Sequence, residues 1–337
     1  MRYSFSLTKL IRQPDSCEGL ALDDFELQQV IGNGICVPVH RAIKKDTQRI
    51  YAIKVISEQQ LRSDSLEGSK LPKVELYPTI SDSPFFPRLK FAFRSGWFVY
   101  LATDYQPFRL LLSDIQEFPM SRVPYFKLLF YTAEMILALV RLQRHTAFLD
   151  IGPGNLLLDC AGHLVISDFG VNTVSEVAHI TEYTAPETAR ANIRNSSSYF
   201  WMLGCFVFHM VMGRPPFSYK DKEKLSRNIQ AGGVGTILNS TNFDPVLRAF
   251  IEELIVVETT QRTTVWDEIQ RHPFLRQIDS KMWRNLAAKD ISPAGFHYVL
   301  QRKTTSELKR AIAVYEDERI MRSEPETAEY LASLHLS

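Results

Sequence analysis

The sequence lacks a strong excess of charge of either sign. Its 39 lysine and arginine residues nearly balance 38 aspartate and glutamate residues, which leaves a net charge of +1. Nonspecific affinity for nucleic acid comes from an excess of cations facing phosphates, so we expect no nucleic-acid partner. The chain has 337 residues, of which 45% are hydrophobic. It is therefore long enough to bury a substantial core and to form two lobes.

Long apolar runs are also missing. The longest, at residues 199–213, is too short to span a bilayer and contains His209, so it predicts a buried helix. Residues 1–19 include no apolar stretch of the length that a secretory signal needs. The cysteines lack the spacing of metal ligands, and we expect reduced thiols at Cys17, Cys36, Cys160 and Cys205. These absences predict an intracellular protein without a transmembrane segment, located in the cytoplasm or the nucleus.

The pattern of hydrophobic residues changes partway along the chain. After a polar extension at residues 1–24, the segment 25–105 is mostly typical of strands. Three strands are clear, at residues 25–31, 49–56 and 98–103. The third is apolar on both faces, so we expect it inside its sheet. Residues 124–145 then follow a helical period over about six turns. The predicted fold is α+β and bilobal, with a small β-rich lobe before a larger helical lobe.

Three polar positions follow the predicted helix within a short stretch of chain. Asp150, Asn155 and Asp168 adjoin apolar segments that predict two strands joined by a turn at 159–162. A carboxylate and an amide oxygen are hard ligands of the kind that bind Mg²⁺ on a triphosphate. A separate aspartate close by could accept a proton from a hydroxyl group. The arrangement therefore indicates a metal–nucleotide site.

The strand-rich half contains two features that fit the same chemistry. Gly32 and Gly34 follow the first strand, where glycine lets a backbone approach phosphate oxygens, although a plain hairpin turn also favours glycine. Lys54 ends an alternating strand, where a lysine is either a phosphate ligand or a solvated side chain. Each feature taken alone leaves both interpretations open.

In their order along the chain, these residues resemble the motif set of the eukaryotic-type protein kinases over residues 25–275. The motifs are the strand motif at 51–54, the catalytic loop at 148–155, the Asp-Phe-Gly triplet at 168–170 and the Ala-Pro-Glu triplet at 185–187. Arg262 matches the arginine that pairs with the glutamate of the last triplet, here Glu187. The triplet at 272–274, with a tail behind it, resembles the AGC group of Ser/Thr kinases.

The resemblance implies a division of the chain. It comprises an N-terminal extension at 1–24, a kinase domain at 25–275 and a C-terminal tail at 276–337. Within the domain, the small lobe covers 25–104, the hinge 103–108 and the large lobe 109–275. The tail is charged, and its sequence predicts a helix at 307–321. The tail either packs across the small lobe, as AGC tails do, or forms an ordinary amphipathic helix that caps the large lobe.

The resemblance also implies ATP and Mg²⁺ as cofactors and assigns roles by position. Asp150 would be the catalytic base, Lys54 a ligand of the α/β-phosphates and Glu75 the partner of Lys54. Asn155 and Asp168 would bind the metal. The nucleotide-binding positions would be Ile31, Gly32, Gly34, Val39, Ala52, Lys54, Thr103, Asp104, Tyr105 and Leu157. The expected partner is a protein substrate or a regulatory protein, and the oligomeric state is left open.

Several positions depart from the family's pattern. Gly152 replaces a lysine, Leu149 an arginine, Ile180 a threonine and Tyr199 an aspartate. The lysine neutralises the transferring phosphoryl group, and losing such a positioned charge costs on the order of 10²–10³ in turnover. The arginine binds an activation-loop phosphate, the threonine contacts the lysine and the catalytic aspartate, and the helix aspartate anchors the catalytic loop.

Two further departures affect the small lobe. Val37-Pro38 occupies the region of a third phosphate-loop glycine, which stiffens the loop and removes a donor. Pro72 and Pro78 flank Glu75, and a proline inside a helix costs roughly 3 kcal/mol. The pairing of Lys54 with Glu75 is therefore in question.

Two functions of different classes fit these observations. The first is a slow or specialised Ser/Thr kinase that transfers the γ-phosphate of ATP to protein hydroxyls, because every polar position of the site is kept. The second is a pseudokinase that acts as a nucleotide-binding scaffold or allosteric partner, because the departures cluster on the acceptor side. A kinase fold acting on lipids or small molecules has no support in the sequence. The retained Asp150 favours the first function.

Overall fold

The computed structural model describes residues 20–33, 38–57, 80, 82–105, 109–111, 123–144, 151–167, 180–191, 193, 195–239 and 244–303. Several sequence predictions lie outside the described residues, namely those for Gly34, Val37, Pro72, Glu75, Pro78, Leu149, Asp150, Asp168 and the helix at 307–321. Within the described part, none of the helices has both the length and the apolar character needed to cross a membrane.

A five-stranded antiparallel sheet forms the small lobe. Its strands are β1 (Phe25–Asn33), β2 (Pro38–Lys44), β3 (Ile50–Ser57), β4 (Leu89–Ser95) and β5 (Phe98–Asp104). Their order is β1-β2-β3-β5-β4, which confirms that β5 lies inside the sheet, as its two-sided apolar pattern predicted. Pro38 begins β2 opposite Asn33, at a strand end where a residue without an N–H is tolerated.

The two faces of this sheet bury different residues, because successive side chains on a strand point to opposite sides. One face carries an aromatic cluster in which the Phe93 ring stacks on Phe25 at 5.2 Å and on Tyr100 at 5.1 Å. The opposite face presents Ile56 and Leu101 to the main core of the molecule. Lys54 lies opposite Leu101 in the β3–β5 register and therefore shares this second face.

The large lobe is mainly helical. Within the described residues its helices are α1 (Tyr125–Arg144), α2 (Pro186–Ala191), α3 (Ser197–Met212), α4 (Lys222–Ala231), α5 (Val234–Asn239), α6 (Pro245–Leu254), α7 (Trp266–Arg271), α8 (Ser280–Ala288) and α9 (Pro293–Lys303). A second sheet has the order β6-β7-β8, with β6 at Arg109–Leu110, β7 at Leu156–Leu158 and β8 at Leu164–Ile166. The predicted turn at 159–162 joins β7 to β8, where the Gly162 amide donates to the Asp159 carbonyl oxygen at 3.0 Å.

Helix α3 lies at the centre of the large lobe and is buried along nearly its whole length, as predicted for the longest apolar run. Gly204 permits the close approach of α6. A Cβ at this position would stand 2.6 Å from Ile255 Cγ1 and 2.8 Å from Leu254 Cβ, distances that real Cβ atoms do not reach. Helix α1 matches its predicted span but is buried on more than one face, since α3, α8, α9 and β8 all pack against it.

Residues 276–303, the first part of the predicted tail, belong to the folded body. Helix α9 packs on α1, with the Phe296 ring 5.3 Å from that of Phe130. The Lys289 ammonium group lies 3.1 Å from the Asp159 carboxylate and 5.4 Å from the centre of the Phe85 ring. The described part of the tail therefore packs on the large lobe and also contacts Phe85 of the small lobe, whereas the position of the predicted helix at 307–321 stays a prediction.

Candidate active site

Lys54 is held on the main-core face of the sheet and is only 5% exposed. It lies in β3 between β2 and β5, opposite Val39 on one side and Leu101 on the other. A lysine is rarely buried to this extent unless its ammonium group meets compensating partners. The position therefore excludes the solvated side chain that the sequence alone left open.

Other predicted nucleotide-binding residues share the face of Lys54. Residues directly opposite each other in an antiparallel pair point to the same side of the sheet. Val39 lies opposite Lys54, and Ala52 lies opposite Thr103. The Thr103 hydroxyl donates to the Ala52 carbonyl oxygen at 3.4 Å. The sheet thus brings four of the predicted positions together on one surface.

The other predicted nucleotide-binding residues of the sheet lie near the edge of this surface and do not all point to the same face. Ile31 is 40% exposed on β1, and Gly32 lies opposite Val39 after an irregularity in the β1–β2 register. Asp104 follows Thr103 and so points to the other face, where its carboxylate lies 3.2 Å from Lys90 Nζ. The Tyr105 ring packs under the guanidinium of Arg41 at 5.7 Å. Any contact of Asp104 with a nucleotide on the Lys54 face would therefore come from the backbone, whereas the Tyr105 ring meets Arg41, which lies opposite Ala52 and shares the Lys54 face.

Asn155 ends a short 3-10 helix (Pro153–Asn155) and is 7% exposed. Its backbone amide donates to the Gly152 carbonyl oxygen at 3.0 Å, which closes the helical turn. Its carbonyl oxygen accepts from the Ser167 amide at 2.9 Å and from the Ser167 hydroxyl at 3.3 Å. Ser167 directly precedes Asp168 in the sequence. The backbone is therefore fixed at Asn155 and at the residue that precedes Asp168 in the sequence.

The hairpin that positions these residues is fastened to α1 by a buried pair. His163 Nδ1 lies 2.6 Å from a Glu134 carboxylate oxygen, and the Leu164 amide donates to the other oxygen at 2.7 Å. Burial raises the pKa of Glu134, and the hydrogen bond and charge of His163 oppose that rise. On the hairpin itself, Leu156 and Leu158 face the core, whereas Leu157 is only half-buried on the opposite side.

Thr181 is a functional candidate that the sequence motifs did not reveal. Its hydroxyl donates to the Ile151 carbonyl oxygen at 3.2 Å, one residue after Asp150 in the sequence. Ile180, which occupies the family's threonine position, instead packs against the main core. A polar residue directly after a lost threonine is the one signal that could have directed attention to Thr181.

Tyr199, at the position of the family's helix aspartate, is buried at the start of α3. A second buried tyrosine, Tyr183, links the segment after Ile180 to the other end of this helix. Its hydroxyl lies 2.9 Å from His209 Nδ1. Burial lowers the pKa of His209 to about 4 and raises that of Tyr183 well above its usual value. Both groups are therefore neutral at pH 7, with Tyr183 donating to His209.

We expect the free energy of unfolding to fall as the pH is lowered from about 6.5 to about 4, partly because of His209. In this range the unfolded chain binds a proton at this histidine that the folded chain does not, so the stabilisation is complete above about 6.5 and is lost towards about 4. The contribution reaches up to about 3 kcal/mol. The measurement is urea denaturation at a series of pH values.

The matched control for this measurement is His209→Asn, whose side-chain oxygen can still accept from Tyr183 but does not titrate. We expect this variant to lose less stability than the wild type over the same pH range. An identical pH dependence in the two proteins would contradict the assignment.

The predicted pair of Arg262 and Glu187 is confirmed. Two guanidinium nitrogens donate to the two carboxylate oxygens at 2.9 and 3.1 Å. Arg262 also donates to the Ser197 carbonyl oxygen at 2.9 Å, and its guanidinium lies 5.2 Å from the Trp201 ring. Burial alone would raise the pKa of Glu187, but the hydrogen bond and charge of Arg262 hold it below its usual value. The pair fixes the Ala-Pro-Glu segment to α3.

The bilobal fold is that of a protein kinase. It has a β-rich lobe with a buried strand lysine and a helical lobe in which an asparagine directly precedes a hairpin. The protein kinase domain family matches residues 25–275, and the chain belongs to this family. The match has the same bounds as the motif resemblance in the sequence.

Three curated relatives illustrate the likeness. The serine/threonine-protein kinase sck2 of Schizosaccharomyces pombe is 32% identical over 300 residues, covering 83% of this chain and 45% of the relative. The serine/threonine-protein kinase SCH9 of Candida albicans is 30% identical, covering 80% of this chain and 36% of the relative. A RAC family serine/threonine-protein kinase homolog of Dictyostelium discoideum is 29% identical, covering 88% and 67%. The chain thus spans less than half the length of the first two relatives. The likeness confirms the predicted AGC-like group.

Proposed function

We propose that this chain is an ATP-dependent protein serine/threonine kinase that transfers the γ-phosphoryl group to a protein hydroxyl at a low rate. The observation that carries the proposal is the double hydrogen bond from Ser167 to the Asn155 carbonyl oxygen, at 2.9 and 3.3 Å. It fixes the backbone at Asn155 and at the residue before Asp168, and these are the two residues that we expect to supply oxygen ligands to a metal. The printed names of the relatives, which are serine/threonine-protein kinases, support the same activity.

The residues present fit ATP and Mg²⁺. Asn155 offers an amide oxygen and Asp168 a carboxylate, which are hard ligands for Mg²⁺. Lys54 supplies a buried cation that would bind the α/β-phosphates. When bound, Mg²⁺ neutralises charge on the phosphate oxygens. The half-buried Leu157 and the sheet surface of Val39, Ala52 and Thr103 provide apolar area suited to a base.

The chain's own residues would then perform the transfer by positioning and by moving one proton. Asp150 would accept the proton of the attacking hydroxyl as that oxygen bonds to phosphorus. The low rate follows from Gly152, which supplies no cation where the family has a lysine. A missing positioned charge lowers turnover on the order of 10²–10³. Binding of the nucleotide depends on a different set of residues and is expected to be less affected.

The test combines binding with transfer. We expect ATP to raise the thermal unfolding temperature in a Mg²⁺-dependent manner, and the wild type to incorporate labelled phosphate above an Asp168→Ala variant. Asp267→Ala serves as the matched control, because Asp267 is exposed in the first turn of α7. The control should bind and transfer like the wild type.

One outcome would overturn the proposal. If ATP stabilises the protein but labelled phosphate stays at the level of Asp168→Ala, with protein substrates present, the chain is a nucleotide-binding scaffold. Three further expectations stay predictions: that the substrate is a protein, that the location is intracellular and that the chain has no nucleic-acid partner.

A further inference from the structure

The Thr181 side chain fills the space into which a side chain at position 152 would extend. A Cβ built on Gly152 would lie 3.1 Å from both Cβ and Cγ2 of Thr181, which is tighter than ordinary packing. A side chain at 152 therefore requires Thr181 to move. Gly154, two residues later, has open space at its Cβ position, so the restriction is specific to Gly152.

Thr181 is in turn held in place by its own segment. Its amide donates to the Thr184 hydroxyl at 2.8 Å, and its hydroxyl accepts from the Tyr183 amide at 3.3 Å. The Thr184 hydroxyl, 3.2 Å from that of Thr181, can donate to it. This leaves the Thr181 hydrogen free for the Ile151 carbonyl oxygen, so each hydroxyl donates once. Thr184 and Tyr183 are fully buried, and neither offers Thr181 room to withdraw.

We propose that Thr181 is a positioning residue for the catalytic loop, and that Gly152 is kept small because Thr181 occupies the adjacent space. The Thr181 hydroxyl fixes the Ile151 carbonyl group, directly after Asp150. From there the backbone is tied through the Gly152 carbonyl oxygen to Asn155 and onward to Ser167. A single side chain from the segment preceding the Ala-Pro-Glu triplet thus sets the loop that carries the base and one metal ligand. This inference rests on the proposed function.

The arrangement replaces a family interaction with a different one. Where the family has a lysine and a threonine in contact with the catalytic aspartate, this chain has a glycine and a threonine one position later. Adding a side chain at 152 in isolation should therefore disturb the loop rather than restore lost activity. The removal of the Thr181 methyl group should make such a side chain more acceptable.

Four variants separate the hydroxyl from the methyl group. Thr181→Val keeps the shape and loses the hydrogen bond, so we expect kcat to fall about tenfold with KM for ATP changed by less than about twofold. Thr181→Ser keeps the hydroxyl and should stay within about twofold of the wild type. Gly152→Ala should lower kcat several-fold. Gly152→Ala combined with Thr181→Ser should recover part of that loss, because the contact with Cγ2 is removed and the contact with Cβ remains.

The matched control is Thr188→Val. The Thr188 hydroxyl donates to the Ile193 carbonyl oxygen at 2.8 Å in another part of the same lobe, and Thr188 is more buried than Thr181. It removes a comparable hydrogen bond without touching the catalytic loop. We expect at least as large a loss of thermal stability in this variant as in Thr181→Val, but no change in kcat.

A second readout does not depend on phosphoryl transfer. Amide hydrogen exchange at Asn155 and Ser167 should accelerate about tenfold in Thr181→Val and stay unchanged in Thr181→Ser and Thr188→Val. If the wild type transfers no phosphate, the proposed function fails while this readout still decides the role of Thr181. Exchange and kcat in Thr181→Val that match Thr188→Val, or a Gly152→Ala variant as fast as the wild type, would overturn the inference.

Discussion

Replacing Arg262 by methionine is expected to lower the free energy of unfolding by about 3–5 kcal/mol. The Arg262 side chain is 3% exposed and bonds to the Glu187 carboxylate at 2.9 and 3.1 Å. It also donates to the backbone carbonyl oxygens of Val256 and Ser197, each at 2.9 Å. Methionine keeps much of the volume but leaves Glu187 with a buried, unpaired charge, which is the costly part of breaking such a pair. Urea denaturation measures the loss.

Two controls show whether burial is the cause. Arg248→Met removes an arginine from a partly exposed pair with Glu252 at 2.9 Å, one helical turn away, and should cost less than about 1 kcal/mol. Combining Arg262→Met with Glu187→Gln removes the orphaned charge, so the double variant should lose less stability than the sum of the two single variants. Strict additivity, or equal losses at Arg248 and Arg262, would refute the explanation.

Replacing Lys54 by methionine is expected to abolish the stabilisation by Mg-ATP and to lower the transfer rate at least about 100-fold. Lys54 is a buried cation on the sheet face shared by Val39, Ala52 and Thr103. Methionine has a similar length and tolerates varied packing, so the change removes the charge with little change in shape. The measurements are the thermal shift on adding Mg-ATP and the initial rate of phosphate incorporation.

The control for this prediction is Lys45→Met, because Lys45 lies exposed in the turn between β2 and β3. It removes the same charge from the same lobe, away from the inner face, and should behave like the wild type. A Lys54→Met protein that still responds to Mg-ATP and transfers phosphate at the wild-type rate would show that the buried lysine has only a structural role.

The contact with Thr181 gives a structural reason why position 152 carries glycine, the residue from which the low rate is predicted. In the family the lysine and the threonine at these positions contact each other, so Gly152 and Ile180 are two losses from one interaction. In the structure, Thr181 lies against Gly152 and donates to Ile151, so the two positions belong to one rearranged contact. Replacing Gly152 by lysine as a single change would therefore also displace Thr181, and its effect on the rate would not report the added charge alone.

Much of the fold could be predicted from local patterns. Apolar strand patterns located β1, β3 and β5, the last as a run apolar on both faces, and a helical period located α1, because such patterns are properties of one segment. The bounds of the kinase domain followed from motif order and agree with the family match at residues 25–275. The pairing of Arg262 with Glu187 followed from the same motifs.

The sequence by itself determined the residue types at the site: a strand lysine, an asparagine, two aspartates and a glycine in place of a lysine. Tertiary structure alone decided how these residues and their neighbours are used. It buried Lys54, turned the Asp104 side chain to the opposite face, joined Glu134 to His163 and set Thr181 against Gly152. The two members lie 14 residues apart in the Lys90–Asp104 pair and 29 residues apart in the Glu134–His163 and Gly152–Thr181 contacts. Local periodicity cannot specify contacts of this kind, because they arise only when separate elements pack together.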